Sequence, residues 1–168
     1  TFLSVLKFES RKNWKDLLYA FFTEFESFEN VRLVLKTSEF HSTRPVQEEI
    51  QKFLLEKNVS FHSNQLVLIH QALHAKELPS LYDAADAFVL PSHGEGWGRP
   101  HVEAMSMSLP VIATNWSGPT EFMTKDNSLP IPIEGLIKAF DDDVHDGHRW
   151  AQPSLKDLKR LMRWCVEN

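Results

Sequence analysis

Two rhythms alternate in the apolar positions of this chain. Short runs of branched and aromatic residues are separated by stretches in which apolar residues recur every three or four positions. Phe2–Leu6 reads as a strand. Asn13–Phe28 follows, with Trp14, Leu17, Leu18, Phe21, Phe22 and Phe25 on one face of an amphipathic helix. Val31–Leu35 reads as a strand covered on both faces. Pro45–Leu55 is a helix that gathers Val46, Ile50, Phe53 and Leu54, and Val59–Phe61 and Leu66–Ile69 are short strands. Glu77–Ala85 is a helix, Ala87–Leu90 a strand closed by Pro91, Pro100–Met107 a helix, and Val111–Ala113 a strand opened by Pro110. Ser154 is placed to cap a last helix carrying Leu155, Leu158, Leu161, Met162 and Cys165. Strands alternating with helices imply βαβ units. The fold class is therefore α/β, a doubly wound, Rossmann-like parallel sheet with helices on both faces. Asp141 through Gly147 is the most loop-like stretch and is expected to link the core to the terminal helix.

The 168 residues suffice for one well-packed domain, read here as a single unit over residues 1–168. The hydrophobic fraction of 42 % is that of an ordinary globular protein. A net charge of −5 argues against a general grip on nucleic acid, which needs a basic surface. A lone cysteine, Cys165, rules out a disulfide framework within the chain; on an apolar helical stripe it reads as a structural thiol. No apolar run approaches the ~20 residues of a transmembrane segment. No targeting signal is present in this stretch, so a cytoplasmic location is the expectation. The chain opens at Thr1 directly on a strand, which reads as a fragment whose N-terminal portion lies elsewhere.

In an open parallel sheet, ligands bind beyond the carboxyl ends of the strands. Two strand-to-helix junctions carry unusual chemistry. Pro91-Ser92-His93-Gly94-Glu95-Gly96-Trp97-Gly98-Arg99-Pro100 places three glycines before a helix. Glycine admits close approach of the backbone to a ligand, and free amides at a helix start attract a diphosphate. Glu103, expected in the first helical turn, can accept hydrogen bonds from a vicinal diol such as ribose. The residues alone leave a plainer reading open, because an acidic side chain there also complements the helix dipole. The second junction, Lys7-Phe8-Glu9-Ser10-Arg11-Lys12-Asn13, reads on its own as a solvated basic turn.

Glu95, seven residues, then Glu103, preceded by Phe88-Val89-Leu90-Pro91-Ser92, resembles the signature of retaining GT-B-fold glycosyltransferases. This is the group 1 glycosyltransferase family, which includes sucrose synthase and many mannosyl- and glucosyltransferases. Ala104 through Asn115, Gly118-Pro119-Thr120-Glu121-Phe122, and the earlier Glu77-Leu78-Pro79-Ser80-Leu81-Tyr82-Asp83-Ala84-Ala85-Asp86 continue the pattern in register from about Phe2 to Leu129. The resemblance implies the C-terminal, donor-binding half of a GT-B enzyme. Its partner would be a nucleotide-sugar donor, with an unspecified acceptor held mainly by an N-terminal domain absent from this chain. The isolated chain would then turn over its donor poorly or not at all.

By position, Glu103 is implied as the ribose ligand and Glu95 as the carboxylate beside the transferred sugar. Gly96, Trp97 and Gly98 form a loop of backbone donors. Lys12 matches the family lysine that neutralises the diphosphate. The second basic residue is matched by Lys7, with a point charge in place of a guanidinium fork, or alternatively by Arg11, whose position next to Lys12 suggests that it points elsewhere. The residues expected to act in catalysis are Lys12 and Glu95. The family does not generally depend on a metal, and no cofactor is expected. His70 with His74, and His145 with His148 among Asp141, Asp142, Asp143 and Asp146, lack the spacing of a complete metal site. His93 stands beside the acidic loop, either near sugar or phosphate or on the loop surface. Two other readings compete: a non-catalytic nucleotide-binding or interaction module that keeps the fold, and an unrelated doubly wound protein such as a dehydrogenase. The latter is disfavoured because no G-x-G-x-x-G follows the first strand.

Overall fold

The first apolar run forms strand β1 (Phe2–Phe8), and a 3-10 turn at Ser10–Lys12 leads into helix α1 (Trp14–Glu24). The chain continues through β2 (Leu33–Glu39), α2 (Val46–Glu56), β3 (Leu66–Ile69), α3 (Leu78–Asp83), β4 (Ala87–Leu90), α4 (Arg99–Ser106), β5 (Val111–Thr114) and β6 (Leu129–Ile131). It ends with β7 (Ile133–Lys138), β8 (Arg149–Pro153) and α5 (Leu155–Glu167). These elements come from a computed structural model, which describes residues 1–39, 45–74, 76–140 and 146–168.

The main sheet has the order β3-β2-β1-β4-β5-β6 with every pairing parallel. β1 starts the sheet in the middle. The chain winds outward through β2 and β3, then returns to the other side of β1 as β4. Leu3 accordingly pairs with Val34 on one side and Phe88 on the other. The loops after β1 and β4 leave the sheet in opposite directions and open a crevice between them, which is where ligands bind in this topology. All four residues of β4 and all four of β5 are buried, as expected of central parallel strands covered on both faces. Leu3, Leu17, Leu18, Phe21, Leu33 and Phe88 are fully buried in one continuous core, each stabilising the fold by about 1.5–3 kcal/mol relative to exposure.

Several elements differ from the sequence pattern. α1 stops at Glu24 because Phe25 turns extended (φ −109°, ψ 126°) and packs its ring on Phe2 and Phe21, leaving Phe28 exposed. Val59–Phe61 pairs with no strand; Phe61 instead sets its ring 5.6 Å from Phe22. Past β6 the chain builds an antiparallel hairpin, β7–β8, with a register shift between Ile133 and Gly135. This hairpin, rather than a plain loop, connects the sheet to α5; of the loop foreseen there, Asp141, Asp142, Asp143 and His145 lie outside the described residues. Ser154 does cap α5, its Oγ accepting from the Asp157 amide. α5 is held to α1 by Arg163, which donates to Glu24 and Glu29.

Candidate functional site

Both polar junctions foreseen in the sequence open into the crevice between β1 and β4. After β1, the 3-10 turn closes with the Asn13 amide donating to the Ser10 carbonyl (2.9 Å), and Asn13 takes the left-handed conformation (φ 53°) to start α1. This turn delivers Lys12 inward. Its Nζ donates to both carboxylate oxygens of Glu95, each at 2.7 Å, with only 10 % and 7 % of the two side chains exposed.

Arg11 comes to the same place. Its Nη1 donates to the Gly94 carbonyl (2.5 Å) and lies 3.4 Å from Glu95 Oε2, while Nη2 pairs with Glu9 (2.5 Å). The expectation that Arg11 points away is therefore corrected. In a 3-10 turn successive side chains diverge by ~120° rather than ~180°, and a long guanidinium spans that angle. Lys7 sits on β1 opposite Ser38 with its side chain exposed.

The acidic loop is braced from the far side. The Glu95 amide donates to Ser117 Oγ (2.9 Å) and the Gly118 amide to the Glu95 carbonyl (3.1 Å). A Cβ on Gly118 would overlap the Gly96 carbonyl, so glycine is what allows the two loops to meet. Gly96 itself faces open space. Gly98 closes the loop at φ +92° and serves as the N-cap of α4 without a side chain to cap it; Pro100 has no amide hydrogen and the His101 amide donates to the Gly98 carbonyl at 3.0 Å, so the Arg99 amide is the first-turn donor left to an anion. Trp97 leaves 53 % of its surface exposed and leans on Phe122, ring centroids 5.3 Å apart.

Glu103 belongs to the second turn of α4, not the first, because the helix begins at Arg99. Its Oε2 accepts from the buried Tyr82 hydroxyl at 2.8 Å, and its Oε1 lies 3.8 Å from the exposed Arg99. Glu103 is joined to the Lys12–Glu95 pair through α4. Two positions before it, the fully buried His101 ring feels the charges of both Glu95 and Lys12. Burial pushes His101 down to about 4, against the pull of Glu95, so the ring is neutral near pH 7. Burial together with the Glu103 carboxylate pushes the Tyr82 phenol far up, and it stays a protonated donor.

His93 is not on the loop surface. It is buried, stacks on Trp150 (5.3 Å, 11° between planes), and meets the Ala151 carbonyl through Nδ1 at 2.7 Å. Burial lowers its pKa, opposed by the Ala151 carbonyl and Asp16. Among the described residues, no three or more His, Cys, Asp or Glu side chains are grouped to hold a metal; His70, His74 and His148 take part in no such group, and His145 lies outside those residues. No described helix is long and apolar enough to cross a membrane. Burial raises the Cys165 thiol to about 11, which keeps it protonated. Arg11, the alternative to Lys7 in the sequence, is the basic residue that reaches Glu95, whereas the contact of Tyr82 with Glu103 has no counterpart in the sequence pattern. Tyr82 lay in plain view inside the Glu77–Asp86 motif, but nothing in the motif says where its hydroxyl points.

A Rossmann-like sheet with a cationic turn, a glycine-rich acidic loop and an uncapped helix start around its switch point defines a domain suited to an anionic, hydroxyl-bearing ligand. The chain belongs to the glycosyl transferases group 1 family, whose model matches residues 1–146. Over 71 residues it is 31 % identical to the capsular polysaccharide biosynthesis glycosyltransferase CapM of Staphylococcus aureus, a match covering 42 % of this chain and 19 % of that protein. Its fold is that of the C-terminal domain of the group 1 family protein LpcC from Francisella tularensis, at TM-score 0.72 and 18 % identity, covering 99 % of this chain and 75 % of the other. Anabaena HepE, solved in complex with UDP-glucose, matches at TM-score 0.67 and 17 % identity, covering 99 % of this chain and 39 % of HepE. The match thus spans about a fifth of the curated relative's length.

Proposed function

We propose that this domain binds a nucleoside diphosphate sugar in the crevice between β1 and β4 and forms the donor half of a retaining hexosyltransferase. The observation that carries the reading is the buried Lys12–Glu95 pair, joined by Arg11, at the switch point of the sheet. Lys12 and the Arg99 amide at the start of α4 receive the diphosphate, Glu103 the ribose hydroxyls, and Glu95 stands beside the hexose. Gly96, Trp97 and Gly98 supply the loop that follows the sugar and diphosphate, and Lys7, exposed near the carboxyl end of β1, adds positive charge at that edge of the sheet. Family membership and the UDP-glucose held by HepE support this assignment.

In the reaction, the bond between the anomeric carbon and the diphosphate oxygen breaks. The acceptor oxygen bonds to the same face of that carbon, and the acceptor proton passes to the departing phosphate. Charge grows on the diphosphate as the bond breaks, so a fixed ammonium stabilises the transition state more than the ground state. Lys12 and Arg11 supply that charge, and the scheme calls on no metal or cofactor. The acceptor is bound by the other half of the enzyme.

The test is calorimetric titration of the 168-residue chain with UDP-glucose and GDP-mannose. One of them binds, and Glu103→Ala weakens it by about 1.5–3 kcal/mol, the usual loss for a charged hydrogen-bond acceptor. Binding of neither at millimolar concentration overturns the reading. In a protein carrying both halves, an inverted product seen by NMR removes the retaining mechanism.

A further inference from the structure

Tyr82 is the largest side chain in the fully buried core, 1 % exposed, yet it ends in a polar group aimed at the candidate site. Its ring lies near Phe88 of β4, centroids 6.2 Å apart, and its burial packs it in on all sides. A phenol has one proton to donate. Glu103 Oε2 at 2.8 Å and the Pro100 carbonyl at 3.5 Å compete for it, and the shorter, charge-assisted bond wins. One oxygen of Glu103 is thereby fixed by a rigid group from another helix. The other lies 3.8 Å from Arg99, on an arm that is 86 % exposed.

A glutamate on a helix surface samples many rotamers. Holding it ready for a ligand costs conformational entropy at the moment of binding unless the protein has already met that cost. Two adjacent hydroxyls need acceptor lone pairs in a fixed plane, which a freely rotating carboxylate does not offer.

We propose that Tyr82 is a positioning residue of the donor site, its buried hydroxyl holding Glu103 in the rotamer that presents the carboxylate to the ribose diol. The inference rests on the ribose-binding role of Glu103 given above. Tyr82 touches no ligand. It acts by removing the freedom of the residue that does.

Titration of the chain with uridine and guanosine diphosphates and their 2′,3′-dideoxy analogues tests this. The wild type prefers the ribose form. Tyr82→Phe reduces that preference about tenfold while affinity for the dideoxy form changes less than twofold. Glu103→Ala abolishes the preference, and adding Tyr82→Phe to it changes nothing more. If Glu103→Ala abolishes the preference and Tyr82→Phe leaves it intact, the positioning role is wrong and the ribose role of Glu103 stands. If Glu103→Ala leaves the preference intact, or no nucleotide binds, both readings fail. A merely structural tyrosine would weaken both nucleotide forms alike, which also overturns the proposal. Should Tyr82→Phe not fold, fluorotyrosine labelling of the two tyrosines gives the answer in the wild-type background. The Tyr82 fluorine resonance, assigned by difference from a Tyr19→Phe sample, shifts with the ribose nucleotide and not with its dideoxy analogue. A resonance that responds equally to both refutes the idea.

Discussion

Replacing Glu95 by glutamine should make the domain less stable and yet tighten its hold on a diphosphate. Glu95 occupies the ammonium of Lys12 through both oxygens and draws in Arg11 as well. The carboxylate thus stands where a diphosphate would find its cations, and an arriving anion has to compete with it. Glutamine keeps the size and one hydrogen-bond acceptor but removes the charge. A carboxylate about 6 Å from a phosphate charge, in an effective dielectric of ~20–40, opposes binding by about 1.5–3 kcal/mol. At ~1.4 kcal/mol per decade, inorganic pyrophosphate should bind Glu95→Gln at least tenfold more tightly than wild type.

Stability should move the other way. Removing one partner of a buried ion pair costs ~3–5 kcal/mol when nothing replaces it. The surviving amide oxygen and the small remaining exposure of Lys12 reduce this to about 2 kcal/mol, read as a lower urea midpoint. For a full sugar nucleotide the gain should be smaller than for pyrophosphate, because Glu95 is placed beside the hexose. Calorimetric titration at two salt concentrations measures the affinities, and the gain should shrink with salt if it is electrostatic. Equal or weaker pyrophosphate binding by Glu95→Gln would show that the carboxylate does not compete with the anion.

Two further outcomes follow from the same region. His101 in the folded chain sits near 4 against an ordinary value of 6.5, so the unfolded chain takes up the proton first as pH falls. Its contribution is fully present above 6.5, is lost between 6.5 and 4, and amounts to about 3 kcal/mol over that window; His93, lowered in the same direction, adds to the loss. Urea melts from pH 4.5 to 7.5 should show a shallower slope for His101→Phe, and parallel curves would refute the assignment. Gly98→Ala places a Cβ 2.8 Å from His101 Nδ1 and 3.1 Å from Pro119 Cγ at φ +92°. It should cost about 1–3 kcal/mol and weaken nucleotide binding by tilting the start of α4, and an unchanged urea midpoint would count against that geometry.

The sheet was largely legible in the sequence because its central strands have little freedom in composition. Ala87–Leu90 and Val111–Thr114 are buried on both faces, so each is an unbroken or nearly unbroken apolar run ended or begun by proline. The hairpin was not legible for the opposite reason. β7 is mostly exposed, carries a glycine and a register shift, and mixes Ile133, Leu136 and Ile137 with charges in no steady alternation. Its partner β8 lies more than ten residues away, so no tight-turn signal links the two. Val59–Phe61 shows the converse error. Its apolar character comes from packing against helix residues such as Phe22, and periodicity cannot tell that from pairing in a sheet.

The candidate site shows where spacing stops carrying information. The positions of Lys12, Glu95 and Glu103 are set by motif spacing, and each lies after the strand or on the helix expected for it. Their contacts depend on residues remote in sequence. His93 is the clearest case: its amide donates to the Arg11 carbonyl at 2.8 Å, its own carbonyl accepts from the Ala151 amide at 3.0 Å, and its ring stacks on Trp150. One residue therefore ties the cationic turn after β1, the acidic loop after β4 and the hairpin before α5. The hairpin that the sequence concealed is in this way a structural support of the loop that the sequence revealed. Glu95 lies two residues from His93, and the Arg11 guanidinium reaches it from the turn that His93 holds. The position of that carboxylate is thus fixed jointly by the turn, the Ser117–Gly118 brace and the hairpin, and no local pattern around Glu95 encodes all three.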